Sequence, residues 1–422
     1  MDESLRLFNK ASKLMPKGVN SPIRYFEPYP FFVKKAKGCK VYDVDNNPYI
    51  DYCMGYGSLL LGHAFKEVID EVKTQLYKGS LYCMPSEQEV ELAELLNRCI
   101  PCAEMVRLVN TGLEATYHAI RIARAYTKRS KVVRFEGCYH GANDYTLADK
   151  YVPSCIKENT LIVPYNDIYA LDEVMNRHGN DVACIIVEPV MANAGLILPE
   201  QVYLHHLSKV TKEHGSLLIF DEVVTGFRLA LGGAQEYYGI KPDLSTFAKA
   251  MSNGFAIACI AGREDVMSIL APRGDLFQAS TFAGNPVGVT ASMATIRFLL
   301  KHRSLYKRLE KRCRYITDSI NDMINDIGID ANVNSIASMF QIFFTAERVK
   351  DYATAKKASI DAFKVYFYSL LKQGVFIPPS QFEVCFISYM HDENALDHTI
   401  DAIEVALKEV KSKVEITSRQ QR

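Results

Sequence analysis

The sequence predicts an α/β protein: a mostly parallel central sheet covered by helices, accompanied by a smaller α+β domain. Three features point there. From about residue 104 to 290, helix-patterned and strand-patterned segments alternate, the order that builds a parallel sheet with helices on its faces. Two runs, Ala183-Cys184-Ile185-Ile186-Val187 and Ser216-Leu217-Leu218-Ile219-Phe220, lack the polar alternation of a half-exposed strand and so read as strands buried on both sides. From about Ser304 the pattern changes to a charged amphipathic helix, short strand-like pieces and a last helix, which marks a separate α+β part.

Taken in order, Met105 to Asn110 is strand-like, Glu114 to Thr127 helical and Lys131 to Phe135 strand-like again. The buried strands at Ala183–Glu188 and Ser216–Phe220 follow. In the last third, Tyr306 to Ile324 and Leu396 to Lys413 are helical, and Met339 to Phe344 and Val384 to Ser388 are strand-like. No internal repeat, low-complexity tract or charge block interrupts the chain.

Composition narrows the function classes. Forty-nine basic residues balance forty-nine acidic ones, so no net charge draws the chain to nucleic acid or to an anionic membrane, and small molecules are the expected partners. A length of 422 residues, 48% of them hydrophobic and 23% charged, suits two domains or one large domain with a lobe, and excludes disorder. The segment Met1 to Lys10 carries acids and lacks the apolar core of a secretory signal. No apolar run approaches the roughly 18 residues of a membrane helix, and a cytoplasmic protein is expected. Eleven scattered cysteines, several in apolar runs, read as reduced core thiols. Cys99-Ile100-Pro101-Cys102 is a lone pair without a second pair or a histidine cluster, so no metal is expected.

Two places carry the chemistry. The run ending at Phe220 stops at Asp221-Glu222, and in open α/β sheets catalytic groups gather beyond the carboxyl ends of such strands. Downstream, Lys249 sits alone in Ser245-Thr246-Phe247-Ala248-Lys249-Ala250-Met251-Ser252-Asn253-Gly254. Pyridoxal phosphate enzymes need such a pair, a lysine amine for a Schiff base and a carboxylate that keeps the pyridine nitrogen protonated. Each residue alone has an ordinary reading, a helix cap for Asp221 and a solvated surface for Lys249. A third element, Thr111-Gly112-Leu113, lies where a strand meets a helix, and the free N–H groups of that helix start form a natural phosphate cradle or, in its plainer reading, an N-cap.

The wording around these residues is specific. Asp221-Glu222-Val223-Val224-Thr225-Gly226-Phe227-Arg228, then Gly232-Gly233-Ala234-Gln235-Glu236-Tyr237-Tyr238-Gly239, then Pro242-Asp243-Leu244 before the lysine segment, resembles the class III aminotransferase family. Within it the wording is most similar to the glutamate-1-semialdehyde 2,1-aminomutase subgroup, from Gly18-Val19-Asn20-Ser21-Pro22-Ile23-Arg24 to Pro379-Ser380-Gln381-Phe382-Glu383.

The resemblance implies the pyridoxal phosphate-dependent transferase fold type I. It gives a large cofactor-binding domain over residues 61–300 and a small domain assembled from 1–60 and 301–422, with Val41 to Asp51 as a hairpin around Asn46-Asn47-Pro48. It also implies pyridoxal 5'-phosphate as cofactor, with Lys249 forming the Schiff base and acting as general base, and Asp221 pairing with the pyridine nitrogen. Thr111, Gly112 and Leu113 would hold the phosphate, Leu113 replacing a residue whose hydroxyl the family usually supplies. Tyr139, in Cys138-Tyr139-His140-Gly141, would stack on the ring, and Val223, two residues past Asp221 on the same strand face, would pack on its other side. His140 would be a structural hydrogen-bonder, and Glu188 would order this shell or cap a helix. Thr281, in Ser280-Thr281-Phe282-Ala283-Gly284-Asn285-Pro286, would reach the phosphate of the other subunit in a homodimer. Arg24 would take a substrate carboxylate, with Tyr56 and Glu383 near the substrate.

Three departures bear on the reaction. Tyr145 to Leu161 is short and has no glycine run where the aminomutases carry a long gating loop; Gly55-Tyr56-Gly57 stands where they have Ser-Trp-Gly; and Leu113 is the third. A lid retains the half-reacted intermediate, so its absence favours an aminotransferase exchanging an amino group between free amino and keto acids. The aminomutase, a racemase or epimerase, and a non-catalytic scaffold are the alternatives, and fold-level resemblance does not choose among the aminotransferase, the aminomutase and the racemase.

Overall fold

A computed structural model describes residues 2–147 and 150–420, with side chains from 3 to 413 outside that gap. Its contacts divide the chain into two units. The first comprises Met1–Phe65, Lys307–Val349 and Ala353–Arg422; the second comprises Lys66–Tyr306 and Lys350–Tyr352.

In the first unit, β1 (Val33–Lys37), β2 (Lys40–Asp43) and β3 (Pro48–Asp51) form an antiparallel meander. Asp43 makes its turn: Oδ1 accepts from Asn47 N at 2.7 Å and Oδ2 from Asn47 Nδ2 at 2.7 Å, which lets Asn46 adopt a left-handed φ of 69°.

The second unit carries the main sheet. Its strands are β4 (Met105–Val109), β5 (Lys131–Phe135), β6 (Thr160–Val163), β7 (Val182–Val187), β8 (Leu217–Asp221), β9 (Leu244–Phe247) and β10 (Ala258–Gly262), in the order β4-β10-β9-β8-β7-β5-β6. Strands β5 to β9 pair in parallel, whereas β10 is antiparallel to both β9 and β4. The reversal has a simple cause. Residues 248–257 hold only the short 3-10 turn Lys249–Ser252, and a parallel return would need a crossover helix. Strands β7 and β8 are buried along their whole length, which is why they read as unbroken apolar runs.

The helix Gly112–Thr127 lies on this sheet with Ala115, Ala119, Ile120, Ile122 and Ala123 in the core against Val132, Cys184, Ile186 and Ile219. Three alanines spaced by four place its backbone close to the strands. The ends of β4, β5, β7, β8 and β9 thereby bring residues 111–113, 139–140, 188, 221 and 249 to the carboxyl side of the sheet.

The remaining strands belong to the first unit: β11 (Asn332–Ile336), β12 (Met339–Phe343), β13 (Val375–Phe376), which pairs in parallel with β3, and β14 (Cys385–Phe386), antiparallel to β12. Helices Ile360–Lys372 and Glu393–Gln420 pack on each other within it.

Ile219 is fully buried between the alanine-faced helix and the sheet. Ile219→Ala is expected to cost about 3 kcal/mol, read as a lowered midpoint in thermal unfolding of the second unit.

Candidate active site

Asp221, the last residue of β8, is 4% exposed and held from three directions. Its Oδ1 accepts from Val223 N at 3.1 Å and from Thr246 Oγ1 at 3.2 Å; its Oδ2 faces His140 Nδ1 at 2.7 Å. The carboxylate selects the imidazole tautomer that donates from Nδ1. His140 Nε2, also buried, has no hydrogen-bond partner among the described residues. Val223 lies beyond the end of β8, in the following turn, and not on the strand face expected of it; the backbone bends to bring its own N–H back to Asp221.

Asp221 lines a cavity of about 180 Å³ together with Gly112, Leu113, Tyr139, His140, Glu188, Val223 and Lys249, eight of the residues singled out from sequence. Thr116, Gly141, Asn193 and Val224 complete the lining. Larger cavities exist, one of about 660 Å³ lined by Phe26, Tyr49 and Tyr368 and one of about 540 Å³ lined by Val90, Met105 and Arg107. Neither gathers an acid, a base and a helix start, so size does not identify the site here.

At the helix start, Thr111 Oγ1 accepts from Glu114 N at 3.2 Å, and Glu114 reaches back to Asn110 N at 2.6 Å. This variant of the capping box leaves the Gly112 and Leu113 N–H groups at the positive end of the helix dipole, unclaimed by the cap. A Cβ on Gly112 would come within 2.9 Å of Val223 Cγ2, so only glycine allows this approach. Leu113 packs against Gly141, whose φ is +89°, and supplies an apolar wall instead of a hydroxyl.

Glu188, just past β7, accepts from Tyr139 N at 2.8 Å, Ala192 N at 3.0 Å and Asn193 Nδ2 at 2.9 Å. Burial pushes its carboxyl above the ordinary range, with Asp221 adding and His140 and the Tyr139 and Ala192 amides opposing. Tyr139 is about half exposed beside it. Burial holds the Cys138 thiol well above its usual value, which disfavours the thiolate. Lys249 opens the 3-10 turn after β9 with a left-handed φ of 46°, a conformation that costs a non-glycine residue on the order of 1 kcal/mol.

These parts fit pyridoxal phosphate: two amides at a helix start for a phosphate, a fixed carboxylate for a ring nitrogen, and a half-buried lysine lining the same cavity. Thr281 does not line this chain's own cavity; it is exposed in the loop before the helix Pro286–Lys301. The first unit collects the other candidates. Tyr56 feels both Arg24 and Glu383 electrostatically, and its hydroxyl donates to Ile23 O at 2.7 Å.

Sequence reasoning missed Thr246 and Asn193. Thr246 was legible in principle, since it pairs with Asp221 across β8 and β9 and stands three residues before Lys249. Asn193 carries no such signal.

Glu222 plays a part different from its neighbour. Fully buried, it accepts from Thr225 Oγ1 at 2.8 Å, Ala234 N at 2.5 Å and Gln235 N at 3.1 Å, capping the helix Gly233–Tyr238. A Cβ at Gly233 would collide with its Oε2.

The family model for aminotransferase class III matches residues 24–407. The glutamate-1-semialdehyde 2,1-aminomutase of Nitrosopumilus maritimus (strain SCM1) is 52% identical over 421 residues, covering 96% of this chain and 99% of that protein. The protein of the same name from Methanocaldococcus jannaschii is 47% identical over 96% of this chain and 97% of its own. Among solved structures, an omega-transaminase from Sphaerobacter thermophilus superposes with a TM-score of 0.93 at 27% identity, over 97% of this chain and 98% of that one.

Burial pushes the Glu222 carboxyl up to about 7 against its three donors. Between its unfolded value near 4.5 and about 7 the folded state binds the extra proton, so this group's stabilising contribution falls as pH rises through that window and is level above it. The slope of melting temperature against pH between 4.5 and 7 should flatten in Glu222→Gln, measured relative to the wild type.

Proposed function

Because the chain belongs to the class III aminotransferases, which depend on pyridoxal 5'-phosphate, we propose that it is a glutamate-1-semialdehyde 2,1-aminomutase. The observation that carries this reading is the 52% identity to an aminomutase across nearly the whole of both chains. The preference for a stand-alone aminotransferase rested on one short segment; near-full-length similarity to aminomutases outweighs it.

The reaction moves an amino group from C2 to C1 of the substrate while the aldehyde oxygen function passes to C2, giving 5-amino-4-oxopentanoate with no atom gained or lost. When bound, the cofactor supplies a carbonyl that takes up amines and a ring that withdraws electrons from the adjoining carbon. Lys249 Nζ would carry protons to and from the substrate carbons, because it is the amine lining the cavity. Asp221 would keep a proton on the ring nitrogen, its orientation fixed by His140, Thr246 and Val223. The Gly112 and Leu113 amides, with the Thr111 hydroxyl, would hold the phosphate, and Thr281 would serve a partner subunit's site in a homodimer. Tyr139 and Val223 would flank the ring, with Glu188 ordering Tyr139 from below. Arg24 would hold the substrate's distal carboxylate, with Tyr56 and Glu383 nearby.

One observation keeps the aminotransferase as a second reading. Where a gating loop is expected, Tyr145 is stacked on Tyr117 at 5.9 Å with Arg124 4.1 Å above its ring, and its carbonyl accepts from Thr160 Oγ1 at 3.4 Å. That part of the segment is pinned; Ala148 and Asp149 lie outside the described residues.

The test is turnover of purified, pyridoxal phosphate-loaded protein on glutamate-1-semialdehyde alone, with 5-amino-4-oxopentanoate as the measured product. Product without any co-substrate is the expected result, and Lys249→Ala should lower the rate by about 10³-fold or more. Failure on the semialdehyde, with keto-acid-dependent conversion of a free amino acid instead, would replace the aminomutase by an aminotransferase.

A further inference from the structure

Four successive residues of the first unit, Met54, Gly55, Tyr56 and Gly57, have left-handed φ values of 44°, 59°, 54° and 88°. Such a run is unfavourable wherever a Cβ is present, as at Met54 and Tyr56, and survives only if its surroundings over-determine it. Asp51 does so from the end of β3. Buried to 3% exposure, it accepts from Cys53 N at 2.8 Å and Met54 N at 3.2 Å through Oδ1, while Oδ2 pairs with His63 Nε2 at 2.7 Å. Gly57 closes the run against Phe386, where a Cβ would come within 2.8 Å of the ring.

What the left-handed run achieves is the placement of one hydroxyl. Tyr56 Oη donates to Ile23 O at 2.7 Å, and Ile23 is the middle residue of the 3-10 turn Pro22–Arg24. The turn's other supports are two backbone bonds, Arg24 N to Ser21 O and Tyr25 N to Pro22 O, both at 3.1 Å, with no side-chain cap from Ser21. Among the described residues, the Tyr56 phenol is the one side chain that hydrogen-bonds the backbone of residues 21–24. Arg24 itself is exposed, and its guanidinium makes no hydrogen bond or ion pair to a described residue. A long cation on a loosely held turn has many orientations, and each one lost on binding weakens the hold on a carboxylate.

We propose that Tyr56 is a positioning residue whose hydroxyl, through the Ile23 carbonyl, fixes the turn that presents Arg24 to the substrate carboxylate. The proposal rests on the reading of Arg24 as the carboxylate site. Tyr56 suits the task because burial, with Cys53 and Glu383 adding and Arg24 opposing, raises its phenol well above the usual value, so that it stays a donor at every working pH. A phenyl ring at this position could fill the same wall without making the bond.

Tyr56→Phe removes the hydroxyl and keeps the ring. Measured on the pyridoxal phosphate-loaded enzyme with glutamate-1-semialdehyde, it should raise KM about tenfold with kcat within about twofold, and amide hydrogen exchange at Arg24 and Tyr25 should quicken. In an Arg24→Ala background, Tyr56→Phe should add little further to KM, because the group being positioned is gone. Unchanged exchange at Arg24 and Tyr25, or a KM increase of the same size in the Arg24→Ala background, overturns the proposal. If exchange quickens but Arg24→Ala leaves KM unchanged, the bond holds the turn and it is the reading of Arg24 that falls.

Discussion

The second unit is organised around a buried carboxylate that would be costly without partners. Taking Asp221 out of water is tolerable because a ring nitrogen, a hydroxyl and a backbone amide converge on it, each from a different stretch of chain. Those three stretches follow β5, form β9 and follow β8, so the satisfaction of one side chain fixes how three strand ends are aligned. His140 in turn sits between Tyr139, anchored by Glu188, and Gly141, pressed on Leu113. Removing the carboxylate would therefore disturb the helix start and the strand ends together.

Neighbouring acids take opposite roles because a strand end sends successive side chains to opposite sides. Asp221 looks into the cavity, whereas Glu222 turns into the protein to cap a helix, and burial inclines it to keep a proton. Left-handed backbone occurs at turns such as Asn46 and also at two of the candidate residues, Lys249 in the second unit and Tyr56 in the first.

How far this was legible depends on the signal each residue leaves. Unbroken apolar runs gave β7 and β8 and so the position of Asp221, because a strand buried on both faces has a distinctive composition. Thr111-Gly112-Leu113 was legible as a helix start from turn chemistry alone. The antiparallel β10 was not, since pairing direction is set by the length and course of a connection and not by the strand's own residues. Val223 was misplaced by assuming that β8 continued past Asp221. The buried partners Thr246 and Asn193, and the bond from Tyr56 to Ile23, depend on distances between segments that no single segment encodes.

The alanine face of the helix Gly112–Thr127 has a consequence for how the protein can change. Ala115, Ala119 and Ala123 set the standoff between helix and sheet, and with it the height at which the first two amides meet whatever lies in the cavity. Sequence drift on the outer face, at Tyr126, leaves that height untouched. A single added methyl group underneath would tip the whole helix like a shim under a beam, so variation should be plentiful on one side of this helix and scarce on the other.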